Sequence, residues 1–218
     1  MAVRISNIKL PIDHKEQDLT DEIEKKLRTP FKKIKKYEII KRSIDARKGN
    51  VLFVYQVEAV LEADEMKLVE KLHSQDVQIA KEIKGQKPLN PGDEELLYPP
   101  IVIGAGPAGL FAALELAKHG YKPLILERGK DVDRRNKDIL HFWRTGELNI
   151  HSNVQFGEGG AGTFSDGKLT TRIKDSRIDQ VFQTFVEEGA PKEILYEHKP
   201  HIGTDYLKKS FIIYVSGY

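Results

Sequence analysis

The chain contains no cysteine, which excludes a disulfide framework, a C-x-x-C redox pair, a thiolate metal site and a cysteine nucleophile. No apolar run approaches the roughly eighteen residues that a membrane span needs. The opening residues, MAVRISNIKL, lack the long apolar stretch and small-residue cleavage site of a secretory leader. The expectation is therefore a cytoplasmic protein with no membrane partner. With only 10 prolines and 31% charged residues, a collagen-like or mucin-like chain is excluded as well. What is present is 218 residues, 39% of them hydrophobic, enough to bury a sizeable core in one large domain or two small ones.

A net charge of +2 hides an asymmetry. Lys25 to Lys48 holds eleven Lys or Arg against Glu38 and Asp45, whereas Val51 to Tyr98 holds five basic and ten acidic residues. Such a split can mark a nucleic-acid or membrane surface. No aromatic ladder interleaves the lysines as stacking platforms would require, so a solvated face beside an acidic neighbour is the favoured reading.

Residues 1–90 read as a small α/β unit. Val3, Ile5, Ile8 and Leu10 suggest a strand whose phase changes near Ser6. Asp18 or Thr20 can cap a helix through Leu27, with Leu19, Ile23 and Leu27 on one face. Tyr37 to Ile44 and Val51 to Leu61 are β-prone and flank the turn signal Arg47 to Asn50. Met66, Val69 and Leu72 suggest a second helix, and Val77, Ile79 and Ile83 a last strand. The order β-α-β-β-α-β is that of a ferredoxin-like split βαβ. Residues 91–99 form a Pro-rich linker continuing from Lys87-Pro88, and nothing before it makes a catalytic constellation.

Beyond the linker, Ile101-Val102-Ile103 reads as a buried parallel strand. It runs into Gly104-Ala105-Gly106-Pro107-Ala108-Gly109, a G-x-G-x-x-G. The first glycine allows the tight turn, the second lets backbone approach a pyrophosphate, and the third lets the helix pack on the strand. Pro107 suits a first helical turn, whose N–H groups and dipole face an anion. Leu110, Ala113, Leu114 and Ala117 give that helix an apolar face, and Gly120 follows its end. Leu124-Ile125-Leu126 reads as the second strand, closed by Glu127, twenty-one residues past Gly106. A carboxylate there accepts hydrogen bonds from a ribose diol and repels a 2′-phosphate. Strand, glycines, helix, strand and acid together point to dinucleotide binding, without separating FAD from NAD.

A second cluster, Gly157, Gly159, Gly160, Gly162 and Gly167, crowds one loop. Gly162 to Lys168 imitates a P-loop, but Leu169 stands where a Ser or Thr would hold Mg²⁺, and no apolar strand precedes it. Ser165 imitates a nucleophile elbow, but Thr163 takes the place of its first glycine. Neither a triphosphatase nor a hydrolase is expected. His198 and His201 flank Pro200 without a carboxylate pair, so no metal is expected.

The stretches IVIGAGPAGLFAALELAKHGYKPLILERGKDVDRR, HFWRTGELN, SNVQFGEGGAGTFSDGKLTTRIKD and GAPKEILYEHKPHIGTD resemble bacterial FAD-dependent dehydrogenases related to the glutathione-reductase-like flavoproteins. The N-terminal unit is similar to a ferredoxin-like extension that some members carry. The resemblance implies a Rossmann-type FAD/NAD(P)-binding domain over residues 100–209. It implies FAD as the cofactor, with Gly104, Gly106, Pro107, Ala108 and Gly109 at the pyrophosphate and Glu127 on the adenosine ribose. It further implies Arg128 beside the adenine, Arg135 near the phosphates, and Gly159, Gly160 and Thr163 near the pyrophosphate and isoalloxazine. The flavin would carry the redox chemistry, so no catalytic acid or base is named, and the substrate and electron acceptor stay unassigned.

Residues 210–218 carry no charge and depart from the family pattern after Lys209. The expectation is an incomplete dinucleotide-binding domain with impaired turnover. A second hypothesis, from another class, is an RNA- or partner-binding protein that uses the basic 25–48 face and senses a dinucleotide.

Overall fold

The computed structural model describes residues 1–81, 92–173, 175–203 and 206. The expected strand residue Ile83, the linker before Gly92 and the tail 210–218 lie outside the described residues. The chain is a mixed α/β protein that divides into two units, Met1–Gly85 with Glu193–Pro200, and Gln86–Lys192 with His201–Tyr218.

The first unit is built on β1 (Val3–Pro11), α1 (Glu16–Leu27), β2 (Ile34–Lys48), β3 (Asn50–Leu61), α2 (Glu65–Leu72) and β4 (Val77–Ile79). Its sheet has the order β2-β3-β1-β4, with every neighbouring pair antiparallel. The register of β1 against β3 shifts between Ile5 and Ile8, where Asn7 takes a φ of 58°. That bulge inserts one residue and reverses the in/out phase. Val3, Ile5, Ile8 and Leu10 therefore all reach the core although the first pair is odd-numbered and the second even. Leu19, Ile23 and Leu27 of α1 join them, and Leu68, Val69 and Leu72 of α2 pack against the same cluster.

Two local expectations need correction. Helix α1 starts at Glu16, and Asp18 caps it by reaching back, its Oδ2 accepting the Lys15 N–H at 2.8 Å. Met66 is exposed, and Leu68 takes its place toward the core. The outer edge of β2 is partly covered by residues 196–198, an addition not visible in the sequence. Arg42 N donates to Tyr196 O at 2.7 Å and His198 N to Arg42 O at 2.9 Å, while Arg42 Nη2 pairs with Glu197 Oε1 at 2.5 Å. Such cover blunts an edge that would otherwise template further pairing. Part of the basic excess is likewise paired: Lys25 with Glu22, Lys26 with Asp76, Lys36 with Glu38 and Arg47 with Asp45.

The second unit contains β5 (Ile101–Ile103), α3 (Pro107–Lys118), β6 (Leu124–Leu126), α4 (Val132–Thr145) and α5 (Arg177–Glu187). β5 and β6 pair in parallel, Ile101 opposite Leu124 and Ile103 opposite Leu126. The expectation of a buried strand fails here. Ile101 is 61% exposed, Ile103 86%, Leu124 53% and Leu126 49%. Alternation sends these four side chains to one face, while α3 lies over the other, its Leu110, Ala113 and Leu114 buried. Among the described residues the two strands pair only with each other, and no helix is long and apolar enough to cross a membrane.

Candidate dinucleotide site

The turn from β5 into α3 is built as its glycines demand. Gly104 has a φ of +100°, and its N–H donates to Leu126 O at 2.7 Å, tying the turn to the end of β6. A Cβ on Gly109 would lie 2.0 Å from Gly104 O, so any side chain there would drive the helix off the strand. Gly106, the N-cap of α3, is different. Its φ of −76° suits any residue, and a Cβ would meet nothing within 4 Å. Neither backbone conformation nor internal packing asks for glycine at 106, so the open space above it is the feature that a closely approaching ligand would use. Pro107 follows at the first helical position, and the first turn of α3, through Ala108, presents N–H groups without intrahelical partners.

Glu127 stands at the end of β6. One carboxylate oxygen accepts the Ala105 N–H at 2.7 Å and the other accepts the Gly129 N–H at 2.8 Å. Burial pushes the carboxyl pKa up, but the N–H groups of Gly129, Ala105 and Arg128 and the charge of Arg135 outweigh it, and the pKa lies below the usual value. The exposed Arg128 lays its guanidinium 4.2 Å from the centre of the Phe156 ring, a cation–π contact.

The second glycine cluster is packed against the first. Gly159 N donates to Ala105 O at 2.7 Å. Gly160, with a φ of +62°, comes so close that a Cβ would sit 3.0 Å from Pro107 Cδ and 3.3 Å from Gly106 Cα. Thr163 is fully buried in the 3₁₀ turn Ala161–Phe164 that follows. The two glycine runs, more than fifty positions apart in the sequence, thus meet at Ala105–Pro107.

Arg135 holds this loop from within. The residue is fully buried. Its Nε donates to Asn153 O at 2.7 Å, Nη1 to Glu158 O at 2.6 Å and Gly157 O at 3.3 Å, and Nη2 to Val154 O at 2.8 Å. The ring of Phe164 lies 4.8 Å from the guanidinium carbon. Burial lowers the Arg135 pKa, and the charges of Glu127 and Glu158 oppose that. The resemblance implies Arg135 near the phosphates; the structure gives its fork to carbonyl oxygens, so what it organises directly is the backbone of 153–158. Glu158 completes the arrangement by accepting the Val132 N–H at the start of α4, at 2.8 Å.

In the second glycine loop, Asp166 and Lys168 pair with each other at 2.6 Å on the surface, and His201 Nε2 contacts the Asp166 carbonyl. Among the described residues, no group of three His, Asp or Glu is placed to hold a metal. The loop-organising role of Arg135 was missed because carbonyl acceptors have no side-chain signature, and α4 carries Arg134 and Arg144 besides Arg135.

Residues 102–139 match an NAD(P)-binding Rossmann-like domain. Residues 2–60 match a domain of unknown function (DUF8436). The chain is similar to an uncharacterized protein of Clostridium beijerinckii, 50% identical over 209 residues, covering 95% of this chain and 39% of that protein. It is also similar to a monooxygenase of Claviceps purpurea, 30% identical over 110 residues, covering 50% of this chain and 15% of that one. The chain therefore spans well under half the length of these curated relatives. The second unit carries a Rossmann-like NAD(P)-binding segment.

Proposed function

We propose that this chain is the dinucleotide-binding part of a flavin-dependent oxidoreductase, with FAD at the Gly104–Gly109 turn. The observation that carries the reading is Gly106, a glycine that the protein's own packing and dihedrals do not require, seated where a second glycine loop closes on the helix start. A single helix N-terminus would suit many anions; the added Gly159–Gly160 backbone makes a longer cradle, suited to a pyrophosphate with groups on both sides. The resemblance to FAD-dependent dehydrogenases and the likeness to a monooxygenase favour flavin over nicotinamide.

In this reading Gly104, Gly106, Pro107, Ala108 and Gly109 bind the pyrophosphate through backbone. The Glu127 carboxylate accepts the ribose hydroxyls and disfavours a 2′-phosphate. Arg128 on Phe156 flanks the adenine, Gly159, Gly160 and Thr163 border the diphosphate and ring system, and Arg135 supports them from below. FAD, when bound, supplies hydride or electron transfer. No residue is assigned as general acid or base. We also read the N-terminal unit, residues 1–90, as ferredoxin-like, supported by its β-α-β-β-α-β order and antiparallel β2-β3-β1-β4 sheet.

The test is direct. The purified 218-residue chain should be yellow, absorbing at roughly 450 nm as oxidised flavins do, and in equilibrium dialysis it should bind FAD more tightly than NADP⁺. A colourless protein that takes up no FAD, or one that prefers NADP⁺, would overturn the assignment.

A further inference from the structure

Two of the N–H groups on the Glu127 carboxylate come from different loops, Ala105 in the glycine turn and Gly129 after β6. A carboxylate offers about four lone-pair sites. Ala105 and Gly129 take two of them, one on each oxygen, and the Arg128 N–H also acts on the carboxylate, which still leaves room for a ribose hydroxyl. Ala105 is also the residue whose carbonyl receives the Gly159 N–H at 2.7 Å. The same peptide segment thus links Glu127 on one side to the second glycine loop on the other.

We infer that Glu127 is a positioning residue for the pyrophosphate cradle as well as a ribose acceptor. By clamping Ala105 to Gly129 it sets the glycine turn before any ligand arrives, and this inference rests on the dinucleotide reading above. A pure ribose acceptor would act only on ligands that carry ribose hydroxyls. A clamp acts on the diphosphate too, and its effect survives when those hydroxyls are removed.

ADP and 2′,3′-dideoxy-ADP separate the two roles. In Glu127→Gln one acceptor oxygen becomes an NH₂ donor, so both backbone N–H groups can no longer be satisfied. Binding of both nucleotides to the full chain should weaken, 2′,3′-dideoxy-ADP by about tenfold, equivalent to about 1.4 kcal/mol. ADP should lose more, because the ribose contact goes as well. Amide exchange at Ala105 or Gly129 in the ligand-free variant should speed up about tenfold, with β1 and β3 protection unchanged as the control for folding. If Glu127→Gln weakens ADP but leaves 2′,3′-dideoxy-ADP binding and both amides as in the wild type, the positioning role is wrong and the ribose role stands. If the wild type binds neither nucleotide, the dinucleotide reading falls, and the exchange at Ala105 and Gly129 still decides whether the clamp exists.

Discussion

The two units reach order by different balances of the same forces. The N-terminal unit closes thirteen hydrophobic residues into one cluster between an antiparallel sheet and two helices, the arrangement that lets one face of a sheet stay wet. The second unit leaves four aliphatic side chains of its parallel pair exposed and buries Leu110, Leu114, Val132, Ile139 and Phe185. It adds polar groups on backbone: Arg135 on four carbonyls, Glu127 on the Ala105 and Gly129 N–H groups, Glu158 on that of Val132. Side-chain packing makes a scaffold. Backbone gathered by charged side chains makes a shaped loop, with peptide groups available to a ligand.

The sharpest way to break this contrast is Arg135→Met. It removes the donors of four carbonyls, and leaving a buried acceptor unsatisfied costs about 1–3 kcal/mol. We expect limited proteolysis to open 153–164 in this variant while the strands of the first unit keep their amide protection. Equal loss in both units would show that they are not independently held.

Glycine substitutions sharpen it next. Gly109→Ala forces a Cβ to within 2.0 Å of a backbone oxygen and should destabilise the second unit by about 1–3 kcal/mol, the usual cost of overpacking. A Cβ placed on Gly106 meets nothing within 4 Å, so Gly106→Val should fold. It should cost no more than about 1 kcal/mol as a poorer N-cap yet abolish nucleotide binding in equilibrium dialysis. Retained affinity in a folded Gly106→Val protein would separate this glycine from any ligand.

The smallest effect is that of acid. The folded Glu127 pKa is lowered, so its contribution is complete above the unfolded value of about 4.3 and is lost as pH falls through the folded value. Amide exchange at Ala105 and Gly129, corrected for its intrinsic pH dependence, should rise over that range in the wild type and stay flat in Glu127→Gln.

Much of this was legible in the sequence where a residue's role depends on near neighbours. The shift from Val3 and Ile5 to Ile8 and Leu10 announces the bulge at Asn7, since only an inserted residue brings both pairs to one face. The spacing of Gly104, Gly106 and Gly109 with Pro107 announces the strand-turn-helix, because each glycine answers a local demand. The burial of Ile101 and Ile103 was misread. An apolar run reports what a strand can bury, while the layers around it set what it does bury.

The sequence by itself determined the elements of the first unit, the change of phase near Ser6 and the strand-turn-helix that faces the candidate ligand, all set by contacts within a few residues. Only the tertiary structure decided that Gly159 and Gly160 close on Ala105–Pro107, that Arg135 spends its guanidinium on 153–158, and that Tyr196 to His198 line the edge of β2. These contacts join distant residues through backbone N–H and C=O groups. Every non-proline residue carries both, so nothing in the order of side chains singles out which of them will pair.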